Sequence, residues 1–240
     1  MRTFKLTIEY DGTDFSGWQV QPDRRTVQGE LSRALEETTG ERGKIVGAGR
    51  TDAGVHAVGQ VASVRSGTTL EPAVLRRALN ARLPFDIRVR SCAEASPAFN
   101  ARFDARSRTY RYLFIRRPTA LWRNYYLVVT GGLDTSAMRR SLKELLGEKD
   151  FTAFAAAEDD LGTKRCNVTR AELIESPPLL VLSLTADHFL HHMVRSIAGT
   201  VLEIGRGKPW SMGEIVASLD RSKSGPTLPP HALYLMHVTY

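Results

Sequence analysis

The order of strands and helices that hydrophobic patterning predicts is the feature that most constrains the fold. Period-two alternation over residues 4–10 predicts a strand that ends at the turn Asp11-Gly12. The further elements of the first half are a helix at 27–38, strands at 44–47 and 60–65, a helix at 71–83 and a strand at 86–93. This order is the split βαβ pattern of ferredoxin-like and RRM-like units.

The second half of the chain repeats this order of elements without visible sequence identity. Its predicted elements are a strand at 108–117, a helix at 134–146, a hairpin of strands at 166–175 and 179–187, helices at 189–204 and 211–219, and a strand at 233–240. We therefore predict an α+β fold of two similar halves, 1–105 and 106–240. Their antiparallel sheets are expected to join into one extended sheet flanked by helices.

Composition excludes several classes of protein. With 240 residues, 42% hydrophobic and 25% charged, the chain lies near globular averages, which argues against wholesale disorder and a fibrous protein. No secretory segment and no apolar run of membrane-spanning length is found, so we expect a soluble, cytoplasmic protein. Cys92 and Cys166 are far apart and lack CxxC spacing. This argues against a disulfide framework and against a structural zinc site.

Positive charge is concentrated in one segment. Residues 101–123 hold seven arginines and one acidic residue, Asp104, and therefore carry +6 of the net charge of +7. Guanidinium groups pair bidentately with phosphate oxygens, so this segment favours binding of a polyanion. Arg106, Arg108 and Arg111 are the candidates for contacts with nucleic acid. The alternative is a solvated strand edge that arginine keeps soluble.

A glycine-rich loop over 47–59 is the most unusual stretch of the chain. Its sequence, GAGRTDAGVHAVG, is neither a dinucleotide-binding fingerprint nor a phosphate loop. Glycines allow a backbone to take positive φ and to approach a ligand closely, and the loop places Arg50 and Asp52 between two strands. The alternative for Asp52 is an Asx turn, in which its side chain only closes the loop.

Six blocks of sequence, in the right order along nearly the whole chain, carry a family resemblance. They are YDGTDFSGWQ, GRTDAGVHAVGQV, LNARLPFDI, FNARFDARSRTYRY, DHFLHHMVRSIAGTVLEIGRG and SGPTLPPHALYLMHVTY. Together they closely resemble the tRNA pseudouridine synthase A family. The resemblance implies an isomerase that needs no cofactor and no metal, with tRNA as its substrate. It also implies conversion of uridine to pseudouridine in the anticodon stem-loop, a homodimer and an active-site cleft between the two halves.

The resemblance also assigns roles to individual residues. Asp52 matches the family's catalytic aspartate, and Arg195 matches the basic partner of that aspartate. Tyr110 matches a tyrosine that contacts the substrate, while Arg50 matches the arginine that supports the flipped base or fills its vacated place. Tyr112 is expected on the opposite face of its strand, as a core residue.

Other interpretations and departures from the family remain at this point. His188, His191 and His192 cluster in the sequence, and His188 and His192 have the i,i+4 spacing of a helical metal pair. No further ligand or catalytic base is evident, and we interpret the three histidines as packing or RNA contacts. Asn100, Lys149 and Ala232 depart from the residues that are common in the family. A non-catalytic RNA-binding protein of the same fold is one alternative function. A carboxylate-dependent hydrolase is another, and it would need a second acid, for which Asp187 is the nearest candidate.

Overall fold

A computed structural model describes residues 1–157 and 162–240 and divides them into two units. The first unit contains residues 1–106 and 234–240, and the second contains 107–233. The strands are β1 Arg2–Tyr10, β2 Lys44–Gly47, β3 His56–Ser66, β4 Ile87–Ala95, β5 Ser107–Ile115, β6 Leu127–Val128, β7 Gly147–Asp150, β8 Arg165–Ser176, β9 Leu179–Ala186 and β10 Leu233–Thr239. The helices are α1 Val27–Thr39, α2 Pro72–Arg82, α3 Thr135–Lys143, α4 Met193–Gly205 and α5 Met212–Ser218.

The first unit is built around β1. This strand pairs antiparallel with β4 on one side and with β3 on the other. One face of β1 buries Phe4, Leu6 and Ile8, and the buried residues of α1 and α2 belong to the same core. The helix α1 begins where the Thr26 side chain accepts a hydrogen bond from Gly29 N–H, and it ends at Gly40 with φ of 74°. The predicted strand and helix order of this half is confirmed.

The last strand of the chain belongs to the first unit. Tyr234 and Leu235 of β10 pair in parallel with His56 and Ala57 of β3. Parallel strands need a long connection, and here the whole second unit supplies it. The predicted halves, 1–105 and 106–240, divide the chain by element order along the sequence, and that order cannot reveal which sheet receives the final strand.

The second unit contains an antiparallel sheet in the order β5, β9, β8, β7, with β6 added in parallel to β5. Its central helix is α4, in which every residue except Arg195 and Glu203 is buried. The α+β class and the two similar halves are therefore confirmed. The short strands β6 and β7 lie outside the predicted pattern.

Two predicted helix boundaries are wrong by three residues or more. The helix predicted over 189–204 begins at Met193, because His192 has φ of 64° and cannot continue a right-handed helix backwards. The helix predicted over 134–146 ends at Lys143.

In the described part of the chain, no helix has both the length and the apolar composition required to cross a membrane.

Candidate active site

The loop that holds Asp52 runs over 48–55, between β2 and β3, and is shorter than predicted because β3 begins at His56. Backbone hydrogen bonds fix both sides of Asp52. Trp18 N–H donates to the carbonyl of Thr51 at 3.0 Å, and Gly54 N–H donates to the carbonyl of Phe15 at 3.3 Å. Residues 15–18, from the segment that follows β1, therefore determine the path of this loop.

A buried hydroxyl pair adds a side-chain anchor next to Asp52. The Tyr10 hydroxyl and Thr51 Oγ1 lie 2.7 Å apart, and both residues are buried. Burial disfavours the charged phenolate and raises the pKa of Tyr10 to about 12, although hydrogen bonds with Thr51 and Gln60 oppose this rise. The phenol therefore stays neutral at physiological pH and forms a hydrogen bond with the threonine hydroxyl.

The close approach of the 15–18 segment to the loop at 48–55 requires glycine. Gly17 has φ of 91°, and a Cβ built on it would lie 2.6 Å from the carbonyl oxygen of Thr51. Gly54, two residues after Asp52, has φ of 79°. A side chain at Gly17 would meet both steric strain and a backbone atom that cannot rotate away.

Gln60 is a positioning residue that the sequence analysis did not identify. It is fully buried in β3, and its side-chain amide donates to the carbonyl of Gly49 at 2.8 Å. Its Oε1 accepts the N–H of Val61 at 3.1 Å. A glutamine in a strand carries no sequence signal for this role, because the bond depends on how the loop folds back over β3.

Asp52 itself is half-buried, and Arg50 is exposed. Within the loop, the backbone carbonyl of Asp52 accepts Val55 N–H at 3.2 Å and so closes a turn. The loop therefore presents a carboxylate that is held by its neighbours' backbone and is still reachable from solvent. This arrangement suits a nucleophile or a general base better than a purely structural acid.

In the second unit, Tyr110 lies on β5 opposite Leu184 of β9. It is 8% exposed, and its ring packs edge-to-face on Phe189, with centroids 5.2 Å apart. Tyr112 is fully buried and donates to the carbonyl of Pro229 at 2.8 Å. The expectation that the two tyrosines lie on opposite faces is wrong, because residues two apart in a strand share a face.

Arg195 lies in the first turn of α4. It is half-buried, and its Nε donates to the carbonyl of Leu228 at 2.7 Å. Burial raises the pKa of Tyr112, and the positive charge of Arg195 partly opposes that rise. The guanidinium is therefore an oriented group on an otherwise buried helix, which is different from an ordinary charge on an exposed helix face.

The segment after α5 holds α4, the helix that carries Arg195, in place. Gly199 lies so close to Pro226 that a Cβ would overlap the proline carbonyl, and Thr200 Oγ1 accepts the N–H of Gly225 at 2.8 Å. Arg221 binds the Ser224 hydroxyl and the Gly225 carbonyl at 2.7 Å and 3.1 Å. The run SGPT at 224–227 is thus a backbone clamp on α4 and holds Arg195 in place.

His188 and Asp187 have local roles within the second unit. His188 Nε2 lies 3.5 Å from Cys166 Sγ, and its Nδ1 lies 3.1 Å from Asp187. Asp187 accepts the backbone N–H groups of Asn167 and His188. Because α4 begins at Met193, His188 and His192 do not occupy successive turns of a helix, and the spacing argument for a metal pair no longer applies.

The three arginines singled out from the basic segment differ in environment. Arg106 is exposed. Arg108 is 9% exposed, and its guanidinium donates to the carbonyl of Asp187 at 2.7 Å. Arg111 is half-buried, and its Nε is buried without a hydrogen-bond partner among the described residues. Farther along, Arg116, Arg117 and Arg123 are exposed beside Trp122, which is 49% exposed.

Comparison with known proteins gives one consistent family. A family model described as tRNA pseudouridine synthase matches residues 6–104 and 142–240. Three similar proteins, all named tRNA pseudouridine synthase A, match this chain over its full length. They come from Caldicellulosiruptor bescii (41% identical, covering 100% of that protein), Syntrophomonas wolfei (43%, 98%) and Chloroflexus aurantiacus (46%, 89%). The chain therefore belongs to the tRNA pseudouridine synthase A family.

Proposed function

We propose that this protein converts uridine to pseudouridine in the anticodon stem-loop of tRNA, with Asp52 as its catalytic carboxylate and without a cofactor. Family membership makes the chain a tRNA-modifying isomerase. The observation that carries the assignment to Asp52 is the loop at 48–55, which holds a half-buried, solvent-reachable carboxylate in place by the backbone on both sides.

The reaction is an isomerisation in which atoms balance without an external reagent. The bond between uracil N1 and ribose C1′ breaks, a bond between C5 and C1′ forms, and the proton on C5 is released while N1 gains one. Asp52 acts as a nucleophile or as a base.

From the family resemblance we further propose roles for two residues of the second unit. Arg195 is the basic partner of the catalytic carboxylate, since an opposite charge stabilises a carboxylate. Tyr110 offers an aromatic ring to the everted base, which offsets part of the few kcal/mol that unstacking costs. Arg50, exposed in the same loop as Asp52, supports the flipped nucleotide or fills its vacated place.

We propose that arginines of the basic segment contact the rest of the tRNA. Arg106 and Arg111 remain candidates for phosphate contacts, whereas Arg108 acts as a positioning residue because its guanidinium is bonded to the carbonyl of Asp187. The exposed arginines at 116, 117 and 123, and the half-exposed Trp122 in the same stretch of sequence, have the basic and aromatic character that suits RNA. From the family resemblance we further propose a cytoplasmic homodimer.

The decisive experiment is Asp52→Asn with tRNA that carries tritium at C5 of uridine. We expect tritium release to be abolished and tRNA binding to be largely retained, because the amide preserves shape and removes the charge. Asp14→Asn makes the same chemical change at an exposed neighbouring position and should release tritium at the wild-type rate. Release by Asp52→Asn would overturn the assignment of Asp52.

The same assay separates the alternative functions. A non-catalytic RNA-binding protein would release no tritium even as wild type while still binding tRNA. A carboxylate-dependent hydrolase would liberate free uracil and leave an abasic ribose, which chromatography of the digested tRNA detects. Wild-type protein is expected to yield pseudouridine and no free uracil.

A further inference from the structure

A small cavity on the first unit is lined by residues outside the loop that holds Asp52. It has a volume of about 50 Å³ and is lined by Lys44, Val46, Ser63, Arg65, Phe99 and Asn100. A water-sized group needs roughly 10–15 Å³ on this measure, so the cavity has room for several such groups. The lining contains two cations and no carboxylate, which gives it the character of an anion site.

The two cations face each other in an unfavourable register. Lys44 of β2 and Arg65 of β3 are direct cross-strand partners. Like charges directly opposite each other in a sheet destabilise the pairing, and no acidic side chain forms a salt bridge with either residue in the described parts of the chain. An anion bound between them would turn this repulsion into two favourable interactions.

A third cation lies on the same face. Lys5 of β1 is the cross-strand partner of Ser63, and its ammonium lies 3.9 Å from the ring centroid of Tyr240 and 5.6 Å from that of Phe99. These rings attract the cation and hold its side chain in one place. Positive charge therefore surrounds Ser63 on β1, β2 and β3.

The polar lining groups can also donate hydrogen bonds into the cavity. Ser63 Oγ accepts the backbone N–H of Ala101 at 3.2 Å, which leaves its hydroxyl hydrogen to donate. Asn100 Oδ1 accepts the N–H groups of Arg102 and Phe103, and Asp104 accepts the backbone N–H of Asn100. With its oxygen used in this turn, the Asn100 side chain can offer N–H groups to a ligand.

From this cavity we infer a second RNA contact, in which Lys44 and Arg65 bind one backbone phosphate of the tRNA at a distance from the reacting uridine. The inference rests on the proposed function, because that function supplies an RNA ligand. Phosphate oxygens accept hydrogen bonds from every polar group in the lining, and the sheet face gives them a rigid site. Phe99 and the Lys5 pair with Tyr240 border the site and set the direction from which the backbone approaches.

The test compares two double variants by measuring the dissociation constant for tRNA over a range of NaCl concentrations. Lys44→Gln with Arg65→Gln removes both cavity cations. Arg77→Gln with Arg82→Gln removes the same charge from the exposed side of α2. We expect the cavity variant to bind several-fold more weakly and its log–log salt slope to fall by about 1, as loss of one phosphate contact predicts. The α2 variant should keep the wild-type slope.

Two further readouts separate an RNA site from a structural role and from a free-anion site. Without RNA and at low salt, the cavity variant should melt at or above the wild-type temperature, because a repulsion has been removed; a large drop would overturn the inference. Lys44→Gln and Arg65→Gln are also measured singly, which keeps the test valid if the double variant does not fold. Saturable binding of inorganic phosphate together with an unchanged tRNA salt slope would also overturn it.

Failure of the inferred phosphate site is distinguishable from failure of the proposed function. Turnover at saturating tRNA should be unchanged in the cavity variant, whereas Asp52→Asn should lose turnover and keep the salt slope. An unchanged slope in the cavity variant, or equal losses in the cavity and α2 variants, removes the phosphate site and leaves the assignment of Asp52 intact.

Discussion

The loop at 48–55 and the helix α4 hold their candidate residues in different ways. Asp52 is held through backbone hydrogen bonds and a glycine contact, with its own side chain half-buried and reachable. Arg195 is carried by a helix that is buried along almost its entire length and clamped by the 224–227 segment. Substitutions near Asp52 should therefore change the geometry of the site more than the stability of the fold. Substitutions near Arg195 should lower the stability of the fold more than they change the geometry of the site.

Gly199→Ala should give the largest loss of stability. Its Cβ would overlap the Pro226 carbonyl in the core of the second unit, and overpacking of this kind typically costs about 1–3 kcal/mol and occasionally more. Urea unfolding measures the loss. Gly132→Ala, where a Cβ meets open space, should be close to neutral. Equal stability of the two variants would show that the clamp on α4 yields easily.

Gly17→Ala tests how the loop at 48–55 holds Asp52. The added Cβ would push on the Thr51 carbonyl and displace Asp52, and a misplacement of about 1 Å can lower a rate by about 100-fold. Tritium release measures the rate constant. Gly40→Ala carries similar strain, with φ of 74° and nothing near its Cβ, so it should lose roughly 1 kcal/mol of stability with normal turnover. Normal turnover by Gly17→Ala would contradict the backbone mechanism of positioning.

Tyr10→Phe should have the smallest effect at neutral pH, about 1 kcal/mol of stability for one lost hydrogen bond. Its signature is at alkaline pH. The pKa of Tyr10 is about 12 in the folded state and about 10 when unfolded, so stability is retained below pH 10 and falls as pH rises towards 12. Urea unfolding at a series of pH values should show a shallower alkaline fall for Tyr10→Phe. An identical slope would place Tyr10 in a solvated environment.

Local sequence patterns predicted most elements because strands and helices bury one face at a regular period. The alternation in β1 and the threonine cap of α1 needed no tertiary information. Asp52 was predicted from its motif, with its loop described as a glycine-rich turn between strands. The glycine count alone did not reveal which glycine contacts the loop: Gly17 lies far from it in sequence.

Two differences between the sequence-based expectations and the structure have the same physical origin. Phe189 and Leu190 continue the apolar period of α4, so the pattern extended the helix backwards, whereas the positive φ of His192 stops it. Arg108 looks like one more surface cation in a basic run, yet its guanidinium is bonded to the carbonyl of Asp187, 79 residues away in the chain. Such features depend on contacts between distant segments, to which periodicity is insensitive.

The sequence by itself determined the α+β class, the order of the main strands and helices, and the motifs that identify the family, because these depend on local periodicity and residue chemistry. The tertiary structure alone decided that β10 pairs with β3, that Gln60 and Gly17 hold the loop of Asp52, and that Lys44 meets Arg65 across a cavity. Each of these requires two segments that are separate in sequence to lie side by side, and only the folded chain specifies which segments meet.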